Sequence, residues 1–174
     1  MYLYLLRMIR HFLKFGDNQM FENFKLSEHF TFFELTRTSI VELQKVNRVI
    51  AEDYIDNLKI LASARLEMIR SFFNRPMAIT SGFRCEKLNE RVGGSKTSQH
   101  MIGDAADFYI VTMEIKDVFE VIMKRLSNFR WGQLIYYPEH GFIHISNIGA
   151  GKNKNQVLIY DDGEYKLLQS GSFK

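Results

Sequence analysis

A histidine and an aspartate stand seven residues apart in Ser98-Gln99-His100-Met101-Ile102-Gly103-Asp104-Ala105-Ala106-Asp107, with one glycine and two alanines between them. Imidazole and carboxylate are the ligands a hydrolytic zinc takes when no thiolate is at hand. Such a site needs little bulk around it. Gly103 lets the backbone turn sharply, and Ala105 and Ala106 leave room for the chain to come back beside the ion. A third ligand must arrive from elsewhere, and His144 is the natural choice. It sits in Phe142-Ile143-His144-Ile145-Ser146, where strand alternation puts His144 on one face and Ile143 and Ile145 on the other. Two histidines and one aspartate leave a fourth position for water, the arrangement of a hydrolytic centre. By spacing alone the competing reading is a hydrogen-bonded surface pair, which is what a His near an Asp more often is.

Cysteine usage narrows the chemistry. Cys85 is the single cysteine, so an intramolecular disulfide and a Cys-rich zinc site are both excluded. Its thiol reads as a small, partly buried group rather than a reactive one. The chain has 174 residues, 46% of them hydrophobic, enough for one domain with a real core. A net charge of +3 is mild, and no basic run interleaved with aromatics marks a nucleic-acid surface, so no nucleic-acid partner is expected. A monomer is the expected state.

The elements that must position these residues follow from periodicity. Thr31-Phe32-Phe33-Glu34 has capping-box spacing and predicts a short helix there. Ile55, Leu58, Ala62, Leu66, Ile69 and Phe73 predict a main helix from about Ala51 to Phe73, stopped by Asn74 and Pro76. Strands are expected at Met77–Thr80, Ala105–Ile110, Gln133–Tyr137 and Phe142–Ser146, with helices at Glu86–Val92 and Glu114–Leu126. Gly93 to Ser98 reads as a loop. Val157–Tyr160 and Tyr165–Leu168 flank Asp161-Asp162-Gly163-Glu164, a hairpin signal. Helices first and a mostly antiparallel sheet after them make the α+β class, as a single domain with the helices packed on a small sheet. We place that domain at residues 20–174, behind an N-terminal extension at 1–19. Within the extension, Met1–Phe15 is amphipathic but too often interrupted by charge to span a membrane, and it lacks the apolar run and cleavage site of a signal peptide. It could lie on an anionic membrane surface; docking on the domain, or an extension upstream of a functional start at Met20, is the expectation adopted.

The pattern Ser98-x-His100-x-x-Gly103-x-Ala105-x-Asp107, followed later by Phe142-Ile143-His144, resembles the M15 family of zinc D-Ala-D-Ala carboxypeptidases and peptidoglycan endopeptidases. Ile79-Thr80-Ser81-Gly82-Phe83-Arg84 is similar to the family's Ser-Gly-Tyr-Arg segment, and Leu88-Asn89 with Val92 to His100 resembles its lead-in to the first ligand. Tyr136-Tyr137-Pro138 and Gly151-Lys152-Asn153 with Gln156-Val157-Leu158 extend the likeness, which runs from about Leu26 to Leu158. The resemblance implies a hedgehog/DD-peptidase-like fold, zinc on His100, Asp107 and His144, and a role for Arg84 in holding and polarising substrate. The implied substrates are peptidoglycan peptides, cut by a carboxypeptidase or an endopeptidase. Ser98 is no nucleophile, since no His–acid pair is placed to activate it.

The chain departs from the family pattern at the catalytic base. Many relatives carry Glu or Asp three residues before the last ligand, where this chain has Gly141; some carry Asp two residues after it, where this chain has Ser146. Glu139 and His140, in the turn leading to His144, are the nearby groups able to serve. The alternative is a zinc-containing wall-binding or partner-binding module without hydrolysis, as the hedgehog signalling domain is thought to be. Without a clear signal peptide, family habit points to a protein made in the cytoplasm and acting on the cell wall, as a released phage lysin, a virion part or a periplasmic enzyme.

Overall fold

The computed structural model describes residues 22–126, 129–148 and 155–168. The extension expected at 1–19, with the amphipathic Met1–Phe15, lies outside them, as does Gly151-Lys152-Asn153. Lys25 and Thr31 form an antiparallel bridge, and Thr31 caps α1 (Phe32–Leu35). Its hydroxyl accepts from the Glu34 amide at 3.3 Å while the Glu34 carboxylate accepts from the Thr31 amide at 3.5 Å, the capping box read from the sequence.

A helix α2 (Val41–Ala51) follows and ends at the residue where the main helix was expected to begin. Leu43, Val46, Asn47 and Ala51 form its buried stripe; the polar Asn47 in that stripe weakens the apolar period that would betray it. After a tight turn at Glu52–Tyr54, α3 (Ile55–Leu61) and α4 (Glu67–Phe73) run as one helical rod, widened between them at Ala62–Leu66. Leu58, Ala62, Leu66 and Ile69 along it are fully buried, so the stripe is core as expected. Asn74 closes the rod in the left-handed conformation, at φ 48°.

Among the described residues six strands form one sheet in the order β1-β2-β4-β3-β5-β6. They are β1 (Met77–Ser81), β2 (Ala105–Ile110), β3 (Gln133–Tyr137), β4 (Phe142–Ser146), β5 (Gln156–Asp161) and β6 (Glu164–Leu167). Every neighbouring pair is antiparallel except β3 and β5. The expected α+β architecture, with one domain and a mostly antiparallel sheet, is what the chain forms. The last two strands are joined through Asp162 (φ 51°) and Gly163 (φ 80°), a two-residue turn whose positive angles suit Asp-Gly. Helices α5 (Glu86–Arg91) and α6 (Ile115–Arg125) complete the fold.

The sheet's two faces have different work. Ala106, Phe108, Ile110, Leu134, Tyr136, Ile143, Ile145 and Val157 join Val118, Phe119 and Ile122 of α6 and the helical rod in one continuous core. Alternation sends Asp107, Ile135, Tyr137, His144, Leu158 and Tyr160 to the other face, where they line an open cleft. The hydrophobic face anchors the sheet; the opposite face is thereby held still for chemistry.

Gly103 ties the rod to that second face. Its φ is +72°, and a β-carbon there would meet Leu58 Cγ and Tyr54 Cβ at 3.3 Å. Gly141, at φ +70°, has open space around it. Left-handed backbone costs an L-residue about 1–2 kcal/mol, or roughly 2–8 °C of melting temperature in a domain this size. Gly103→Ala is therefore expected to lower the melting temperature by that amount, and by more than Gly141→Ala, which meets the same conformational cost without the crowding; calorimetry of the two variants checks the order.

Candidate metal centre

Asp107 of β2 and His144 of β4 are direct cross-strand partners, so the sheet register alone sets these two side chains together. His100 reaches them from a short turn of helix at Gln99–Ile102, which Gly103 ends. All three are buried. His100 Nε2 lies 3.2 Å from His144 Nδ1 and 3.2 Å from Asp107 Oδ1, and His144 Nδ1 lies 2.8 Å from the same oxygen. The structure thus brings together the three ligands expected from the sequence, in one tight triangle.

The donor chemistry of that triangle calls for a cation. His100 Nδ1 sits 2.7 Å from the Gly82 carbonyl, which only accepts, so Nδ1 carries the hydrogen. Burial pushes the His100 imidazolium toward deprotonation, and the neutral ring then aims the Nε2 lone pair at a carboxylate oxygen. Two lone pairs facing each other at 3.2 Å repel unless a positive charge sits between them. Zinc bonds of ~2.0–2.2 Å to nitrogen and oxygen put tetrahedral ligand atoms ~3.3–3.6 Å apart; two edges of the triangle, at 3.2 Å, are close to this, and the third, at 2.8 Å, is shorter. The other ring nitrogen of His144, Nε2, is buried with no protein partner. The residues fit a zinc ion on His100 Nε2, His144 Nδ1 and Asp107 Oδ1.

Arg84 borders the triad, with Nη2 3.5 Å from Asp107 Oδ2 and a side chain 16% exposed. Burial lowers its pKa, while Asp107, Tyr137 and Tyr165 all lie near enough to favour its charge. Nε is buried without a partner, and the contact to Asp107 engages only Nη2, on a residue that lines the cleft. Its backbone is clamped. The Phe83 amide donates to the Leu35 carbonyl at 2.7 Å, and the Arg84 amide to the His100 carbonyl at 3.1 Å. Asn47, fully buried, brackets it: Nδ2 donates to the Phe83 and Thr36 carbonyls at 3.0 Å each, and Oδ1 accepts from the Cys85 amide at 2.7 Å. The sequence reading did not find Asn47. A polar residue at a helix position spaced like core is the only signal, and it does not say which backbone groups it will satisfy. Gly82 is held so tightly against Leu35 that a β-carbon would overlap that residue's backbone. Cys85 is a buried free thiol whose pKa burial raises, as its inert reading required.

The two groups considered for the catalytic base part company. His140 lines the cleft with the triad, its ring 5.9 Å from those of Tyr137 and Phe142. Glu139 is exposed and turned to Asp161 and Asp162 beside the β5–β6 turn, outside the cleft lining. Gly141 stands in left-handed backbone that favours glycine over the carboxylate of the family pattern. Ser146 is buried under the sheet's end and accepts from the Gln133 amide at 2.8 Å, a structural role. Among the described residues lining the cleft, Asp107 is the sole carboxylate.

A zinc ion on these three side chains leads to a direct expectation. Purified protein is expected to hold close to one zinc per chain, and His144→Ala to lose tight binding, since two ligands rarely suffice. Elemental analysis after dialysis against a weak chelator reads this; full zinc retention by the variant would remove His144 from the site.

No curated protein matches the chain as a relative. Residues 28–146, more than half of the chain, match the family described as Peptidase M15. That span runs to the last residue of β4 and takes in Arg84, His100, Asp107 and His144. By the match and by the triad inside it, the chain belongs to the peptidase M15 family.

Proposed function

We propose that this protein is a zinc peptidase that hydrolyses peptide bonds in the peptidoglycan of bacterial cell walls. The observation that carries the reading is the convergence of three lone-pair donors within 3.2 Å of one another at the floor of an open cleft of roughly 800 Å³. M15 membership supports the reaction class and, with the triad, zinc as the metal.

Bound there, zinc supplies Lewis acidity, which polarises the scissile carbonyl and makes water acidic enough to attack near neutral pH. The protein's own residues do the rest. His100 is held in the required tautomer by Gly82, and Asp107 brings the compensating negative charge. Arg84 presents free N–H donors beside the triad, where they meet the negative charge that develops on a carbonyl oxygen or the carboxylate of a substrate terminus. Tyr137 and Tyr165 share one hydrogen bond at 3.0 Å, which leaves a hydroxyl hydrogen for a substrate oxygen. Burial, with the bond to Tyr165, pushes the Tyr137 hydroxyl's pKa up, so it stays a donor at any working pH. In this reading His140, which lines the cleft, takes a proton from the attacking water and passes it to the leaving amine.

The second reading, a zinc-containing binding module without hydrolysis, draws on the cleft's lack of a carboxylate other than Asp107. One assay separates them. Zinc-loaded protein is expected to release soluble muropeptides from purified sacculi, and chelated protein to release none. If His140 is the base, His140→Ala should fall ~10²–10⁴-fold in turnover with its zinc intact. Zinc-replete wild-type protein that leaves sacculi untouched while binding them would establish the module instead. In the wall-degrading reading the protein works outside the cytoplasmic membrane, as a released lysin, a virion part or a periplasmic enzyme.

A further inference from the structure

A single row of cross-strand partners starts at the metal ligands and runs to the edge of the sheet: Asp107, His144, Ile135, Leu158 and Leu167, on β2, β4, β3, β5 and β6 in turn. From His144 to Leu167 it crosses three strand intervals of ~4.8 Å, about 14 Å in all, the reach of about four residues of extended peptide. Its last three members are aliphatic and face the cleft. Leu167 is 64% exposed and Tyr165, one row over, 58%, on the strand that forms the edge of the sheet among the described residues.

Each flank of this trough carries groups suited to a peptide backbone. On one side, Gln133 and Gln156 line the cleft, and Gln133 Nε2 donates to Gln156 Oε1 at 2.7 Å, a bond that leaves the Gln133 amide oxygen and three of the pair's four N–H groups unused. On the other stand the packed rings of Phe142, Tyr137, Tyr160 and Tyr165, with the shared tyrosine hydroxyls. Opposite the trough, across the triad, the cleft is bordered by Gly93, Gly94, Ser95 and Thr97, low in bulk and mostly exposed. Among the described residues neither margin closes the cleft. An enzyme that removes one terminal residue gains from a blind end that rejects longer chains; the described residues form none, and they form an apolar track leading away from the triad.

We propose that the Ile135–Leu158–Leu167 trough is a subsite for an extended peptide that continues past the scissile bond, which makes the protein an endopeptidase that cuts internal bonds such as those of cross-links, not a trimmer of terminal D-alanine. The inference rests on the peptidase reading above. The occupant is peptide because the trough combines aliphatic floor with a paired amide donor and acceptor, the needs of apolar side chains and of a backbone.

The experiment compares two purified substrates on the zinc-loaded protein: a cross-linked muropeptide dimer and the uncross-linked pentapeptide monomer. The expected result is kcat/KM at least about ten-fold higher on the dimer, and a KM on the dimer raised about ten-fold by Leu167→Arg, the size of one lost apolar contact. Leu167 is exposed, so the fold should tolerate the change, and a thermal melt verifies it. Tyr165→Phe, which keeps the ring and removes the hydroxyl, guards against a failure of that variant to fold and should change the dimer KM less. Equal or faster cleavage of the monomer, with release of free D-alanine, overturns the inference while leaving the peptidase reading in place. So does a Leu167→Arg protein with an unchanged KM. Cleavage of neither substrate defeats the peptidase reading itself, and the inference with it.

Discussion

His100 donates its Nδ1 hydrogen to the Gly82 carbonyl, and the geometry of the centre depends on that bond. It fixes the tautomer, turns the ring and leaves Nε2 as a bare lone pair facing Asp107 and His144. The bond in turn depends on Gly82 being pressed against the end of α1, which no larger residue could accept. The same short segment carries Arg84, whose backbone amide reaches back to the His100 carbonyl. His100 and Arg84 are thus held by one clamp between α1, α2 and the turn at Gln99–Ile102. A charge-bearing centre buried this deeply is costly unless each member is fixed and compensated, and the clamp meets that condition on the helical side.

The sheet meets it on the other side by register. Asp107 faces His144 across β2 and β4 because Ala106 and Phe108 face inward with Ile143 and Ile145. A slip of one residue would put both ligands in the core. The hydrophobic face therefore acts as the alignment device for the polar one, and the same alternation carries the row on through Ile135, Leu158 and Leu167. Core packing, the meeting of Asp107 with His144 and the aliphatic row beside them are consequences of a single pairing scheme.

The convergence of His100, Asp107 and His144 was legible in the sequence because the residue types are rare together and the spacing of the first two carries the turn at Gly103. Strand β4 was legible because Ile143-His144-Ile145 alternates, and β2 and β3 because short runs rich in aliphatic and aromatic residues mark them. The main helix was placed four residues early: Ala51 fits an apolar stripe equally well as the end of α2 or the start of α3, and composition does not choose between them. Helix α2 and Asn47 stayed hidden for one reason, that a buried polar side chain breaks the periodicity that reveals a helix. Its role, like that of the Gly82 carbonyl, lies in hydrogen bonds between segments far apart in the chain, which no local pattern encodes. Glu139 and His140 are adjacent in sequence and looked interchangeable as bases. The turn at Gly141 sends one toward Asp161 and Asp162 and leaves the other on the cleft. The parallel pairing of β3 with β5, which continues the ligand row toward the sheet edge, had no signal in either strand.

X-ray absorption at the zinc edge of the purified protein tests the central claim most directly. The account expects a first shell of two imidazole nitrogens and light oxygen donors at ~2.0–2.2 Å, with the outer-shell scattering of two histidine rings and no sulfur contribution. Asp107→Ala should simplify the oxygen shell or empty the site. A spectrum with one imidazole or none, or with zinc bound equally well after loss of Asp107, would contradict the centre described here.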